Sequence, residues 1–106
     1  MDLEEVIQQR FSCRQFLAKP VSDDLIEKII ALSQRAPSAG NLKAYRICLI
    51  EDIELKKKIV KAAINQSCLA EAPIILVISA CPTISYSRYG KRGVDLYAIQ
   101  DATIFA

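Results

Sequence analysis

The stretch Pro73-Ile74-Ile75-Leu76-Val77-Ile78-Ser79-Ala80-Cys81 is the longest strongly apolar run in the chain. A continuous apolar run of this length that follows a proline predicts a strand over residues 74–81, of the kind that lies at the centre of a sheet and is covered on both faces. The run therefore implies a sheet with helices on both sides. It is far shorter than the ~20 residues of a bilayer helix, so we predict no membrane segment.

The segments before this run predict helices and a second strand. Apolar positions recur at helical spacing over residues 3–10 and 22–36. Ser22 is a good N-cap for the second of these helices, and Pro37 opposes its continuation past Ala36. Residues 45–50 are rich in β-compatible side chains and predict a strand.

A third helix is expected to begin after Asp52, which can cap it. Glu54 lies four residues before Lys58 in this helix, and the pair predicts a solvated face that also includes Lys56, Lys57 and Lys61. After the apolar run, residues 82–93 are polar and contain Gly and Tyr, which favours a mobile loop. Residues 94–106 are helical in pattern and apolar almost all round, which predicts a buried helix.

Composition limits the class of protein. The 106 residues are 52% hydrophobic and 25% charged, the balance of a single globular domain. The net charge of +2 argues against nucleic-acid or membrane-surface binding. There is no His and no CxxC pair, so we predict no metal site; the four cysteines are expected to be reduced, core-type thiols. The start of the chain lacks a secretory signal, which favours the cytoplasm.

The first candidate site is the motif Arg10-Phe11-Ser12-Cys13-Arg14, directly after the first helix. In an extended segment the side chains of Arg10, Ser12 and Arg14 project to one side. Two guanidinium groups and a hydroxyl suit a phosphate monoester, because Arg donates paired, charge-assisted hydrogen bonds. The alternative is a pair of ordinary surface arginines.

The second candidate site is Pro37-Ser38-Ala39-Gly40-Asn41, a loop of small residues. Its backbone would be able to approach a flat ligand closely and offer amide groups to it. The alternative is an ordinary turn between helix and strand, since Pro, Ser, Gly and Asn are the usual turn residues.

Three motifs form an ordered series along the chain: Arg10-x-Ser12-x-Arg14, Val21-Ser22-Asp23, and Arg35-Ala36-Pro37-Ser38-Ala39-Gly40-Asn41. This series resembles the nitroreductase family of FMN enzymes, and Ala70-Glu71-Ala72-Pro73 and Leu96-Tyr97-Ala98-Ile99-Gln100-Asp101-Ala102 are similar to the same family. The resemblance implies an α+β fold with nitroreductase-like α/β/α layers, in which helices flank a central sheet. The chain ends without a helix-stop signal. We therefore expect residues 1–106 to be a single, truncated nitroreductase-like domain that lacks the family's C-terminal half.

The resemblance also assigns roles to residues. In the family, residues near the start of the chain bind the FMN phosphate and the polar edge of the ring. The matching residues here are Arg10, Ser12 and Arg14. The residues that match the loop packed on the isoalloxazine of the neighbouring subunit, which implies a homodimer, are Pro37, Ser38, Ala39 and Asn41. The position that hydrogen-bonds the pyrimidine edge matches Asn65 or Gln66, which remain alternatives. Lys43 stands where the family has a Gln, and a cation there would favour reduced, anionic flavin.

The resemblance implies an FMN-dependent oxidoreductase that takes a hydride from NAD(P)H and passes it to a small electron-poor acceptor, such as a nitro-compound or a quinone. The flavin then does the chemistry, and no catalytic side chain is required. One alternative is a truncated, noncatalytic flavin-binding or dimerisation fragment. Another is an anion-binding domain unrelated to flavin, in which Arg10 and Arg14 form a generic phosphate pocket.

Overall fold

The computed structural model describes residues 1–106, which form six α-helices and one two-stranded sheet. In chain order the elements are α1 (Leu3–Gln9), α2 (Asp23–Ser33), β1 (Tyr45–Ile50), α3 (Ile53–Ala62), α4 (Cys68–Glu71), β2 (Ile75–Ala80), α5 (Pro82–Tyr89) and α6 (Ala98–Phe105). A 3₁₀ turn spans Ala39–Asn41, and a π-helical turn, Gly93–Tyr97, leads into α6. The chain is therefore α+β, as predicted. None of its helices has the length and apolar character needed to cross a bilayer.

Two helices begin at the caps that the sequence predicts. The Ser22 hydroxyl accepts a hydrogen bond from the Leu25 amide at 3.3 Å, and the Asp52 carboxylate accepts one from the Leu55 amide at 2.8 Å. Each cap satisfies an amide that the first turn of a helix leaves unpaired. Both predictions are confirmed.

The second helix ends earlier than predicted. It stops at Ser33, not at Ala36. The Arg35 and Ala36 amides bond to carbonyl groups three residues earlier, so the chain tightens into turns before Pro37. A residue that precedes proline is pushed away from the α conformation, which accounts for the early end.

The two strands pair antiparallel, with Tyr45 opposite Ala80 and Ile50 opposite Ile75. Helix α6 packs on one face of this sheet, where the rings of Tyr45 and Phe105 lie 4.4 Å apart. On the other face Cys48 and Val77, which are paired across the ladder, are exposed. The prediction that residues 74–81 are covered on both faces is therefore only partly right: on the face of Val77, Ile75 is buried, but Cys48 and Val77 are open to solvent.

Residues 82–93 form helix α5 and a short turn, so the predicted mobile loop is wrong. Pro82 occupies the first turn of the helix, where its missing amide would have had no partner in any case. Ser85 is fully buried against Gly93, whose absent side chain makes room for this close contact. Tertiary packing outweighs the polar composition here.

The last helical segment is confirmed as a helix, but it is buried on one side only. The buried residues of α6 are Ala98, Asp101, Ala102 and Phe105. Ile99 and Ile104 lie on the opposite side and are more than half exposed.

Lys56 corrects the prediction of a solvated lysine face on α3. Only 5% of Lys56 is exposed, and its ammonium group donates to the carbonyl oxygens of Ala72 and Pro73, each at 2.7 Å. Glu54 forms its ion pair with Lys57, at 3.2 Å, and not with Lys58. Lys56 thus fixes the chain between α4 and β2, and only the other lysines of α3 remain in solvent.

Residues 1–20, here called the N-terminal arm, are exposed at every position. They include large apolar side chains, such as Leu3 and Phe11, each of which is 75% exposed. The radius of gyration is 15.8 Å, whereas a compact domain of this length has about 13 Å. The arm therefore extends away from the small core and leaves apolar surface uncovered.

The four cysteines are all unpaired, but they differ in burial. Cys81 is buried, as predicted for a core-type thiol, and Cys68 is half-buried. Cys13 and Cys48 are exposed, so the prediction is wrong for these two. These two are exposed because Cys13 lies on the uncovered N-terminal arm and Cys48 on an uncovered part of the sheet. The local sequence does not reveal which surfaces stay uncovered.

Candidate functional site

The three donors of the arginine motif lie on the N-terminal arm. Arg10 follows the last residue of α1, and its amide bonds to the Val6 carbonyl; Ser12 and Arg14 lie in an irregular segment. All three are exposed, and their side chains make no hydrogen bond or ion pair within the chain. Their donor groups are therefore free, and two guanidinium groups with a hydroxyl have the chemistry that a phosphate monoester requires.

The loop over residues 37–44 is held in place by a buried carboxylate. Asp101 of α6 is only 2% exposed; one of its oxygens accepts from the Ala39 amide at 3.0 Å and the other from the Ala44 amide at 3.3 Å. Within the loop, the Ser38 hydroxyl accepts from the Lys43 amide at 3.1 Å. Bonds to a buried charge are stronger than neutral ones, so Asp101 fixes the loop on the helix.

Sequence reasoning did not identify Asp101 as a functional residue. The available signal was a single acidic residue within a helix that is otherwise mostly apolar. An acid is seldom buried without partners, so its presence on the core side of α6 indicates unpaired donors nearby.

The loop offers fewer free amides than the sequence suggests. Apart from the two amides bound by Asp101, those of Asn41 and Leu42 bond to loop carbonyl groups, and that of Lys43 bonds to the Ser38 hydroxyl. The expectation that the loop presents its amides to a ligand is therefore wrong for Ala39 and Asn41, whereas no hydrogen bond within the chain occupies the Ser38 and Gly40 amides. What remains for a ligand is these two amides and the surface formed by the loop's side chains.

Gly40 is required by contacts within the chain. Its φ of +60° is in the left-handed region that favours glycine, and a Cβ atom there would lie 2.7 Å from the Tyr89 hydroxyl. The space left by its absent side chain is filled by α5 rather than by a ligand. Asn41 and Lys43 also have positive φ, of 54° and 51°, so the backbone turns sharply before β1.

Asn65 and Gln66 lie in the exposed turn between α3 and α4. Asn65 has a φ of +57°, and its amide bonds to the Val60 carbonyl at 2.9 Å. The side chains of both residues make no hydrogen bond within the chain. Both are therefore free to contact a ligand, and neither is favoured over the other.

The chain contains three cavities, and none is lined by a predicted site residue. The two larger ones, of about 390 and 540 Å³, lie on either side of Pro20 and Val21 in the segment that follows the arginine motif. The smallest, of about 180 Å³, lies between α2, the sheet and α6. One chain alone therefore does not enclose the predicted residues in a pocket.

The hydroxyl of Tyr45, the first residue of β1, interacts with the charge of Asp101, the residue that holds the loop. Burial raises the pKa of its hydroxyl above the ordinary value of 10.0, and the negative charge of Asp101 raises it further. Both effects disfavour the phenolate form. Tyr45 therefore stays neutral beside the carboxylate that holds the loop.

Comparisons with known proteins place the chain in a family and a fold. A model of the nitroreductase family matches residues 7–72. The chain is 35% identical over 80 residues to an NADH dehydrogenase of Thermus thermophilus, covering 76% of this chain and 39% of that protein. It is 33% identical over 69 residues to the FMN reductase [NAD(P)H] of Bacillus subtilis, covering 65% of this chain and 28% of that protein.

Among solved structures, that of B. megaterium NfrA2 superposes with a TM-score of 0.82 at 29% identity. The match covers 96% of this chain and 46% of that one, and it confirms the predicted fold class. The chain thus spans less than half the length of each of these three proteins.

Proposed function

The chain belongs to the nitroreductase family, and on that premise we propose that it is an FMN-dependent oxidoreductase that passes a hydride from NAD(P)H to a small electron-poor acceptor, a nitro-compound or a quinone. One observation carries the proposal: the family match from residue 7 to residue 72 contains every residue of the predicted flavin site, from Arg10 to Gln66. This match removes the alternative of an anion-binding domain unrelated to the family.

The N-terminal arm would hold the phosphate end of FMN. Arg10, Ser12 and Arg14 supply donors that no group of the chain occupies. An arginine that binds a phosphate oxygen through a charge-assisted bond is worth about 1.5–3 kcal/mol. Two arginines and a hydroxyl are thus sufficient to fix one end of the cofactor.

The loop of a second copy would cover the flat rings. Pro37, Ser38, Ala39 and Asn41 belong to the loop that Asp101 holds. No cavity of a single chain contains these residues, and the apolar arm is uncovered, so both features support a homodimer in which the site is assembled from two copies. Lys43 and either Asn65 or Gln66 would then contact the polar edges of the rings.

When bound, FMN supplies the hydride-transfer chemistry. The residues of this chain bind and orient it, and no side chain is assigned a catalytic role. Lys43 would favour a negative charge on the ring edge beside it. The four unpaired cysteines support the predicted cytoplasmic location.

Purification and reduction test the proposal. The protein is expected to be yellow, or to become so when FMN is added, and its absorbance should bleach on addition of NADPH or NADH. Arg14→Ala removes one charge-assisted contact and no core volume, so it should weaken FMN binding about tenfold or more and leave the dimer intact. Arg46→Ala, which removes another exposed arginine, is the matched control. Unchanged flavin affinity in Arg14→Ala would contradict the assignment.

A second candidate function is noncatalytic flavin binding or dimerisation. The 106 residues span 39% of the Thermus thermophilus relative. A yellow protein that NADPH and NADH do not bleach, or a colourless dimer, would support this second function over the first.

A further inference from the structure

We propose that Arg88 and Arg92 form a binding site for a phosphate monoester, and that its ligand is the 2′-phosphate of NADPH. This inference rests on the proposed function and deepens it, because it names the electron donor. Neither residue belongs to the flavin site described above.

Two tyrosine rings hold these arginines in place. The guanidinium carbon of Arg88 lies over the Tyr89 ring, 5.8 Å from its centroid, and that of Arg92 lies over the Tyr97 ring at 5.7 Å. The two rings contact each other edge to face, with centroids 4.9 Å apart and an interplanar angle of 85°. Two cations from different helical segments are thus brought to one aromatic cluster.

Stacking leaves the binding edge of each guanidinium group free. A ring binds the face of the group, whereas its N–H donors point outward in the plane. Arg88 and Arg92 are exposed, while Tyr89 and Tyr97 are half-buried. The aromatic support therefore reduces the side-chain freedom that a ligand would otherwise have to remove.

Neither arginine is neutralised by an acid. The only ion pair in this segment joins Lys91 to Asp95, so the Asp95 carboxylate already has a cationic partner. Two ordered, unpaired guanidinium groups attract a dianion, and their planar donor edges match the oxygens of a phosphate.

The cluster lies beside the loop that is proposed to cover the flavin. A Cβ atom on Gly40 would lie 2.7 Å from the Tyr89 hydroxyl and 3.2 Å from Cδ of Arg88. A dinucleotide whose nicotinamide reaches the flavin would extend its adenosine half across neighbouring surface. NADPH and NADH differ there only in the 2′-phosphate, so this site would select NADPH.

Isothermal titration calorimetry on the full chain tests the inference without relying on turnover. Adenosine 2′,5′-bisphosphate, which carries the 2′-phosphate, is expected to bind at least about tenfold more tightly than adenosine 5′-monophosphate. The double variant Arg88→Gln, Arg92→Gln removes both charges but keeps polar side chains, and it should abolish this difference. Arg88→Lys, Arg92→Lys keeps the charge but not the planar fork, and should retain part of it.

Lys58→Gln is the matched control, because it removes an exposed, unpaired cation of α3. It should leave the preference for the bisphosphate intact. In the flavin-loaded protein, the ratio of KM for NADH to KM for NADPH should fall about tenfold or more in the Gln double variant and stay unchanged in Lys58→Gln.

Equal affinity of the two nucleotides for the wild-type protein would overturn the inference, and so would an unchanged preference in the Gln double variant. Loss of FMN from that variant would overturn it as well, since the arginines would then serve the flavin phosphate. Failure of the protein to bind FMN at all would sink the proposed function, yet the calorimetric comparison would still decide whether Arg88 and Arg92 bind the 2′-phosphate.

Discussion

Asp101→Ala removes the carboxylate that fixes the loop over residues 37–44 on α6. Two amides lose their acceptor, and the Ala44 amide belongs to a residue with no exposed surface. Hydrogen bonds to a charged group contribute about 1.5–3 kcal/mol each, and a buried donor without a partner costs about 1–3 kcal/mol. Since these effects overlap, we expect a loss of about 3–5 kcal/mol, a large part of the 5–15 kcal/mol typical of a domain.

Asp101→Asn removes the charge and one acceptor but leaves the other acceptor in place, so its effect can be compared with the loss of both acceptors in Asp101→Ala. The side chain keeps its shape and one acceptor oxygen, but its NH₂ group replaces the second acceptor. The loss should therefore be smaller, about 1–3 kcal/mol. Asp95→Ala, which removes an exposed acid from the turn before α6, should change the stability little because exposed ion pairs contribute little.

Urea unfolding followed by far-UV circular dichroism measures these differences, and hydrogen exchange reports on the loop directly. The Ala39 and Ala44 amides should exchange much faster in Asp101→Ala than in the wild type. If Asp101→Ala unfolds at the same urea concentration as the wild type, and these two amides stay protected, the carboxylate does not hold the loop.

Gly40→Ala should destabilise the protein by about 1–2 kcal/mol because alanine is strained in the left-handed backbone conformation at this position. Its Cβ atom would also clash with the Tyr89 hydroxyl and add to the loss. If Tyr89→Phe recovers none of the lost stability, this close contact is not real. Lys56→Met should cost about 1–3 kcal/mol in urea unfolding because two carbonyl groups lose their donor, whereas an equal loss in Lys58→Met would show that burial of Lys56 is unimportant. The raised pKa of Tyr45 means that its contribution to stability is complete below pH 10.0 and is lost as the pH rises through the folded-state value. Tyr45→Phe should therefore flatten the decline in stability above pH 10.0, and an unaltered decline would exclude this cause.

Features that depend on neighbouring residues were predictable from the sequence. The caps Ser22 and Asp52 each bond to an amide three residues away, and the first strand has the predicted bounds, Tyr45–Ile50. The motifs that resemble the nitroreductase family are also continuous in sequence, and the family match confirms that resemblance. The assignment of individual residues to flavin contacts remains a prediction.

Features that depend on distant residues needed the tertiary structure. Residues 82–93 were expected to be a loop because their composition is polar, but burial of Ser85 against Gly93 stabilises a helix there. Lys56 is one of three consecutive lysines, and nothing in the local sequence distinguishes it from the two that lie in solvent. It becomes a buried donor only because the carbonyl groups of Ala72 and Pro73 approach it. Local propensity does not specify which distant residues will pack against a segment, and that packing decides whether the segment is helical or buried.

The sequence by itself determined the family, the order of helices and strands, and the two segments proposed to hold a flavin, because each is encoded within a few consecutive residues. The tertiary structure decided how the loop is held and which surfaces stay open. Asp101 bonds to amides 62 and 57 residues away, and Cys48 and Val77 on the second face of the sheet are exposed although β2 is mostly apolar. Both depend on which groups the folded chain brings together, and no spacing along the sequence specifies that.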